Sequence, residues 1–249
     1  MLSMNEDDYN RALREDPDLI NADLEGANLM NANLEGANLR GANLSGAYLY
    51  MAFLTDADLE GANLEGANLE GAWLNDARFP DVNLEGANLT DANLREAYLT
   101  DAKLKGAYLR GANLTDANLE YANLEGANLE GASLTDANLY MTFLTDAKLK
   151  GAYLQNADLQ NADLIGADLR GAMLTNANLE YANLEGANLT GAMLTNANLT
   201  GAMLTNANLT GANLREANLD MAKLKGADLT LVNWTNTFFG IQFKFSRKS

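Results

Sequence analysis

Leucine occupies every fifth position from Leu19 to Leu229, with Phe79 the sole departure. Alanine stands two residues before almost every one of these slots between residues 22 and 227, Val82 and Thr142 excepted. This period fits neither a lone helix nor a flat strand. At about 100° per residue, successive leucines would step by about 140° and smear around a helix. In a flat strand an odd period would send alternate leucines to opposite faces. The leucines converge only if the chain runs extended for about three residues, holding Ala and Leu on one side, and then turns a corner. Every glycine except Gly240 stands two residues after a leucine slot, where a corner often needs the positive φ that glycine adopts freely. Units this short cannot bury a face alone, so they must stack as a solenoid.

The tandem unit Ala-(Asp/Asn)-Leu-X-X, as in Ala22-Asp23-Leu24-Glu25-Gly26, resembles the pentapeptide-repeat family over roughly Leu19 to Phe239. The resemblance implies an all-β chain: a right-handed quadrilateral parallel β-helix, four pentapeptides to a coil, with leucine and alanine pointing inward. A four-sided coil requires a twenty-residue super-period, and the corner slots carry one. Asp56, Asp76, Glu96, Asp116, Asp136, Asn156, Asn176, Asn196, Glu216 and Asn236 form a column of acids and asparagines. Gly26, Gly46, Gly66, Gly86, Gly106 and Gly126 form a column of glycines. This inequality predicts different turn types at different corners, with Asx side chains capping one and glycine relaxing another. The unbroken phase predicts one domain: residues 1–17 as a short N-terminal helical cap, 18–239 as a β-helix of about 11 coils, and 240–249 as a C-terminal strand or tail. At about 4.8 Å per coil the rod would be roughly 53 Å long.

In the cap, Ser3 and Glu6 have the spacing of a capping box, Asp7 and Asp8 suit the first turn, and Arg11 and Arg14 suit the last. Tyr9, Ala12 and Leu13 would share the face that covers the first coil, and Pro17 would stop the helix. In the slot before leucine, Asn and Asp predominate, and asparagines one coil apart can form amide ladders along the rod. Arg78-Phe79-Pro80-Asp81-Val82 is the one irregularity within the repeats. It predicts a bulge or kink filled by the larger Phe79 side chain, or else a dedicated binding site.

The chain carries 34 acidic against 17 basic side chains, a net charge of −17. That disfavours direct binding to nucleic acid or to anionic membranes. It contains no histidine and no cysteine, which removes common zinc sites and Ser-His or Cys-His nucleophilic pairs. Neither G-x-x-x-x-G-K-S/T nor G-x-G-x-x-G occurs. No run of 18 apolar residues and no signal-like segment near Met1 is present. The chain therefore reads as a non-enzymatic cytoplasmic protein with no cofactor and no metal.

Its individuality lies in the outward slots. Tyr48, Tyr50, Met51 and Phe53 crowd one coil, with Trp73 one coil further on the same side as Phe53. Tyr140, Met141 and Phe143 form a second group, with Tyr121 in the column of Met141. Each group is either a surface for a protein partner or a stabilising stack on adjacent coils. The carboxylates of Asp56, Asp76, Glu96, Asp116 and Asp136 repel one another and need an offset. Corner hydrogen bonds to the backbone, bound cations, or a role as an imitation of duplex phosphates would each account for the column. Trp234, Phe238, Phe239, Ile241, Phe243 and Phe245 make an aromatic C-terminal segment. It would lid the rod or pair it with a second copy. Two functional readings follow. One is a rigid acidic scaffold presenting a flat surface to an unidentified protein partner. The other comes from the family resemblance, some members of which imitate DNA and bind a type II topoisomerase such as DNA gyrase, protecting it from quinolones.

Overall fold

The computed structural model describes residues 5–240. Helix α1, Glu6–Leu13, comes first, and from residue 18 onward the chain winds in coils of twenty residues. Each bridge is parallel and joins residues twenty apart, from Asp18 with Asn38 to Asn218 with Phe238. Pairing is confined to the slot before leucine. Two of every five residues are spent on a turn, so each side of the coil reduces to a single bridged residue and not a strand of three.

The turns are alike at all four corners, contrary to the expectation of different types. Every corner slot from Asn21 to Asn236 has φ between +52° and +75°, whether it holds Gly, Asn, Asp or something larger. Each turn is closed by the alanine N–H donating to the preceding leucine carbonyl, as Ala22 does to Leu19 at 3.0 Å. With positive φ only at the third of the four residues, this is the type II pattern.

The backbone donors of a repeat are accounted for by position. In Ala22 to Gly26, the Ala22 N–H closes the turn, while Leu24 and Gly26 donate to the next coil, to Asn43 at 2.7 Å and Ser45 at 2.9 Å. The residue before leucine donates to the previous coil, as Asn43 does to Ala22 at 2.9 Å. The fifth N–H, on the residue after leucine, has no backbone acceptor, and the Asx side chain two residues earlier supplies one. Asn88 Oδ1 thus accepts from the Thr90 N–H at 3.1 Å. Asx capping therefore belongs to the slot before leucine and not to the acidic corner column, where the sequence reading put it.

Leucine and alanine fill the interior, buried from the first coil to Leu219 except for the half-buried Ala32. Thr142, in an alanine slot, is also buried, and its hydroxyl donates to the Leu119 carbonyl at 3.0 Å. Phe79 and Val82 are buried without any bulge. Arg78 keeps its bridges to Asp58 and Tyr98, Asp81 has φ +57° like any corner, and Val82 N–H closes the turn to Phe79 at 3.2 Å. Pro80 occupies the second turn residue, which favours the fixed φ of proline. The preceding Arg78 offers no Asx oxygen, so the missing proline N–H costs no hydrogen bond.

At the N-terminus the cap residue is Asn5, whose Oδ1 accepts from the Asp7 and Asp8 N–H groups at 3.0 and 3.4 Å. The capping-box position Ser3 lies outside the described residues. Ala12 is buried and Tyr9 half-buried, but Leu13 is 50% exposed and does not join them. The helix meets the first coil through polar contacts as well: Tyr9 donates its hydroxyl to the Asn28 carbonyl at 3.2 Å, and Asp8 accepts the Asp23 N–H at 3.0 Å. Arg11 also donates to the Asp18 carbonyl.

Candidate interaction surface

Four turns per coil give the rod four edges. In chain order they carry the columns that contain Tyr121, Gly26, Met51 and Asp56. The Tyr121 and Met51 edges are therefore diagonally opposite, and the Asp56 edge lies between them.

The two aromatic groups fall on those opposite edges. Tyr48, Tyr50, Met51 and Phe53 flank one turn of the Met51 edge, and Phe53 bridges directly to Trp73. Tyr48, Met51, Phe53 and Trp73 are all exposed. Four coils further along, on the Tyr121 edge, Tyr121 and Tyr140 meet edge to face with ring centroids 5.9 Å apart. Met141 and Phe143 stand exposed beside them. Burial against this neighbourhood pushes the Tyr121 hydroxyl up from its ordinary value, and the Glu120 carboxylate, Tyr140 and Asp101 add to the effect. Each group holds together, but the two do not form one surface.

The Asp56 column is offset by side chains, not by the backbone. Asn75 donates to Asp76 at 3.3 Å, and Asn156 to Asp136 at 2.9 Å. Arg95 pairs with Glu96 and lies 3.8 Å from Asp116. Beyond Asp136 the ladder continues in amides, Asn176 to Asn156 at 3.0 Å and Asn196 to Asn176 at 3.2 Å. Glu96 and Asp116, with Tyr98 and Asn118, line a shallow open depression. Among the described residues no group of three or more carboxylates is placed to hold a metal ion.

At the far end of the rod, Trp234 and Phe239 pack with ring centroids 5.3 Å apart, and Phe238 is exposed. The inward residues there, including Leu224 and Leu229, are only half-buried, whereas Leu19, Leu24 and Leu29 at the helix-covered end are fully buried. Ile241, Phe243 and Phe245 lie outside the described residues. Among those described, no helix is long and apolar enough to cross a membrane.

The sequence reading missed Tyr181 and Met221, which stand exposed in the same column as Tyr121 and Met141. The signal was present: a large apolar side chain in a slot otherwise given to Gly, Asn and Asp.

The pentapeptide-repeat family profile, described as pentapeptide repeats, matches eight copies in consecutive segments from residue 15 to residue 230. The chain belongs to the pentapeptide-repeat family. Among solved structures it is similar to HetL, a pentapeptide repeat protein involved in heterocyst differentiation regulation from the cyanobacterium Nostoc sp. strain PCC 7120. The two share 36% identity over 82% of this chain and 90% of that one, with a TM-score of 0.53. It is also similar at 20% identity to QnrB1, a plasmid-mediated fluoroquinolone resistance protein, over 77% of this chain and 88% of that one, TM-score 0.38. A third is the pentapeptide repeat protein Rfr23 from the cyanobacterium Cyanothece 51142, at 30% identity over 55% and 90%, TM-score 0.25. No curated protein matches the chain.

Proposed function

We propose that this protein is a non-enzymatic cytoplasmic scaffold: a right-handed quadrilateral β-helix that presents a flat, rigid surface to a protein partner and binds neither nucleic acid nor membrane directly. The reading rests on where variation is allowed. Inward slots are filled by Leu and Ala to the point of uniformity, so nothing in the interior can hold a substrate, and all chemical individuality sits on the outside. Phe53, Trp73 and Phe143 stand exposed in the slot where Asn would cap the N–H two residues on, and Tyr121 stands exposed at a left-handed corner, so none of the four adds to coil pairing what the commoner residue would add. The similarity to HetL, a protein of regulation by its description, favours the same class.

The test is co-purification from the source organism followed by reconstitution with the identified protein. Binding should weaken at least tenfold on combining Phe53→Ser with Trp73→Ser, or on combining Tyr121→Asn with Phe143→Ser. Unchanged binding by both variants rejects the scaffold reading.

The alternative is imitation of duplex DNA toward a type II topoisomerase such as DNA gyrase. The net charge and the Asp56 edge favour it. Against it, the ribbon is interrupted by Arg95 in contact with Glu96 and Asp116, runs through neutral Asn156, Asn176 and Asn196 beyond Asp136, and ends with Glu216 paired to Arg215 before Asn236. Inhibition of gyrase supercoiling, or quinolone protection, at low protein concentration would establish it. No effect at large excess removes it.

A further inference from the structure

The Tyr121 edge carries four large side chains in left-handed backbone: Tyr121 at φ +60°, Met141 at +53°, Tyr181 at +56° and Met221 at +58°. L-residues with a Cβ avoid this region, and of the non-glycine types Asn and Asp enter it most easily. The other corner slots mostly obey that rule. Asn21, Asn161, Gly41, Gly61 and Gly201 occupy the same column. The Gly26 and Asp56 edges contain no apolar corner residue, and the Met51 edge contains only Met51 and Leu231. Four bulky residues concentrated in one column are a local strain that the fold does not need, because the core beneath is complete without them and they remain exposed.

Asn161 separates Met141 from Tyr181 in this column, but the place above Gly201 is filled. The Tyr181 ring rises along the edge into the space above Gly201, where an added Cβ would clash with Tyr181 Cδ1. Glycine at 201 thus gives the ring its seat. Tyr140 and Phe143 widen the stripe at one end through the Tyr121 ring contact and the bridge from Asn123 to Phe143. Acidic side chains frame it. Glu120, Glu180 and Asp220 directly precede Tyr121, Tyr181 and Met221, Asp101 lies one coil before Tyr121, and Asp163 bridges to Phe143, while Lys223 stands beside the Met221 end.

We propose that this edge is the docking ridge for a basic amphipathic helix of a partner protein. The inference rests on the scaffold reading and names the chemistry of its partner. From Tyr121 to Met221 the ridge spans five coils, about 24 Å at about 4.8 Å per coil. A helix of about 16 residues covers that length, and its pitch of about 5.4 Å nearly matches the rise between coils. An apolar row at i, i+4, i+7, i+11 and i+14 therefore advances by about one coil per member, along Tyr121, Met141, the Tyr181 ring and Met221 with Asn161 between, and Lys or Arg on either flank faces the framing carboxylates.

The intact protein is compared with the combined variant Tyr121→Asn, Met141→Asn, Tyr181→Asn and Met221→Asn. The probe is a fluorescein-labelled 16-residue amphipathic Lys/Leu peptide, with a scrambled peptide of equal composition as control, read by fluorescence anisotropy. The intact protein should bind the amphipathic peptide at least tenfold tighter than the scrambled one, and the variant should lose that difference. The variant should also melt higher, by about 2 °C or more per substitution, because asparagine relieves the backbone strain. Equal binding of both peptides overturns the proposal, since net charge alone then explains it, and so does undiminished discrimination by the variant. A lower melting temperature overturns it too, by making the four side chains part of the packing. If discrimination is lost instead on combining Met51→Gly, Phe53→Ser and Trp73→Ser, this ridge is wrong while the scaffold reading stands on the opposite edge.

Discussion

The side-chain amide of Asn83 donates to Oδ1 of Asn63 at 3.0 Å, one coil away, while Oδ1 of Asn83 accepts the Glu85 N–H at 3.1 Å. One carboxamide thus joins two coils and caps the backbone donor that coil pairing and turn closure leave over. Asp can do the second task but not the first, which is why Asn dominates the slot. Asn83→Asp should keep the cap, lose the ladder bond and set a charge near Glu65, whose carboxylate the amide also approaches at 3.4 Å. The expected loss is about 1 kcal/mol, partly recovered in high salt. Asn83→Ala should lose about 1–2 kcal/mol with no recovery. Denaturant midpoints at two salt concentrations check both, and a salt-independent loss for Asp would refute the account.

Pro80 gives a rule for placing further prolines. The residue after leucine needs its N–H only when Asn or Asp stands two residues before it. Thr100 follows Tyr98, whereas the Thr90 N–H is held by Asn88 at 3.1 Å. Thr100→Pro should be neutral or stabilise by up to about 1 kcal/mol through the reduced freedom of the unfolded chain. Thr90→Pro should cost about 1 kcal/mol. Thermal melts of the two variants separate the outcomes, and equal destabilisation would show that the Asx bond is not the deciding feature.

The contrast at Pro80 marks how far the sequence could be read. Leucines five apart and glycines confined to one slot force a turning, stacked chain, and the acidic and glycine columns force a twenty-residue coil. Those features depend on which residues are present. The turn type, by contrast, depends on a backbone angle that Gly26 and Asp56 adopt alike at +63° and +58°, so unequal side chains wrongly suggested unequal turns. Phe79 and Pro80 looked like a defect because composition alone does not reveal that a leucine slot can take a ring, or that the next N–H is idle. On the surface, aromatic groups were visible as large residues, but Tyr181 and Met221 went unnoticed because their strain becomes apparent only once every corner is seen to be left-handed.

Leu231 tests that strain away from the proposed ridge. It is 84% exposed at φ +59°. Leu231→Asn should therefore stabilise by about 1 kcal/mol, although it removes a large apolar side chain. A loss of stability on thermal melting would show that Leu231 is packed against something in solution.

Position along the rod should decide the cost of a core truncation. Leu124 is fully buried between coils on both sides, whereas Leu229 is half-buried in the last described coil. Leu124→Ala should cost about 2–5 kcal/mol, from lost transfer energy and the cavity left behind. Leu229→Ala should cost less than half as much, since nearest-neighbour contacts dominate a stacked repeat. Equal costs, measured by denaturant unfolding, would mean that the far end is covered as tightly as the middle.

The helix that closes the other end is fastened by a charge pair and should loosen in acid. Arg11 Nε donates to Asp16 Oδ2 at 2.9 Å, and the Asp18 N–H donates to Asp16 Oδ1 at 3.0 Å. The Arg11 guanidinium, followed by the backbone N–H, holds the Asp16 carboxyl below its ordinary value of 3.8. A carboxyl depressed in the folded state contributes its stabilisation fully above the ordinary value and loses it as pH falls through the depressed one. Amide protection in Glu6–Leu13 should therefore hold from neutral pH down to about 5 and decline below about 4. Asp16→Asn should show reduced protection already at pH 7 and a smaller further decline on acidification. Hydrogen exchange read by mass spectrometry distinguishes the two, and an identical acid profile for both proteins would show that another group governs the cap.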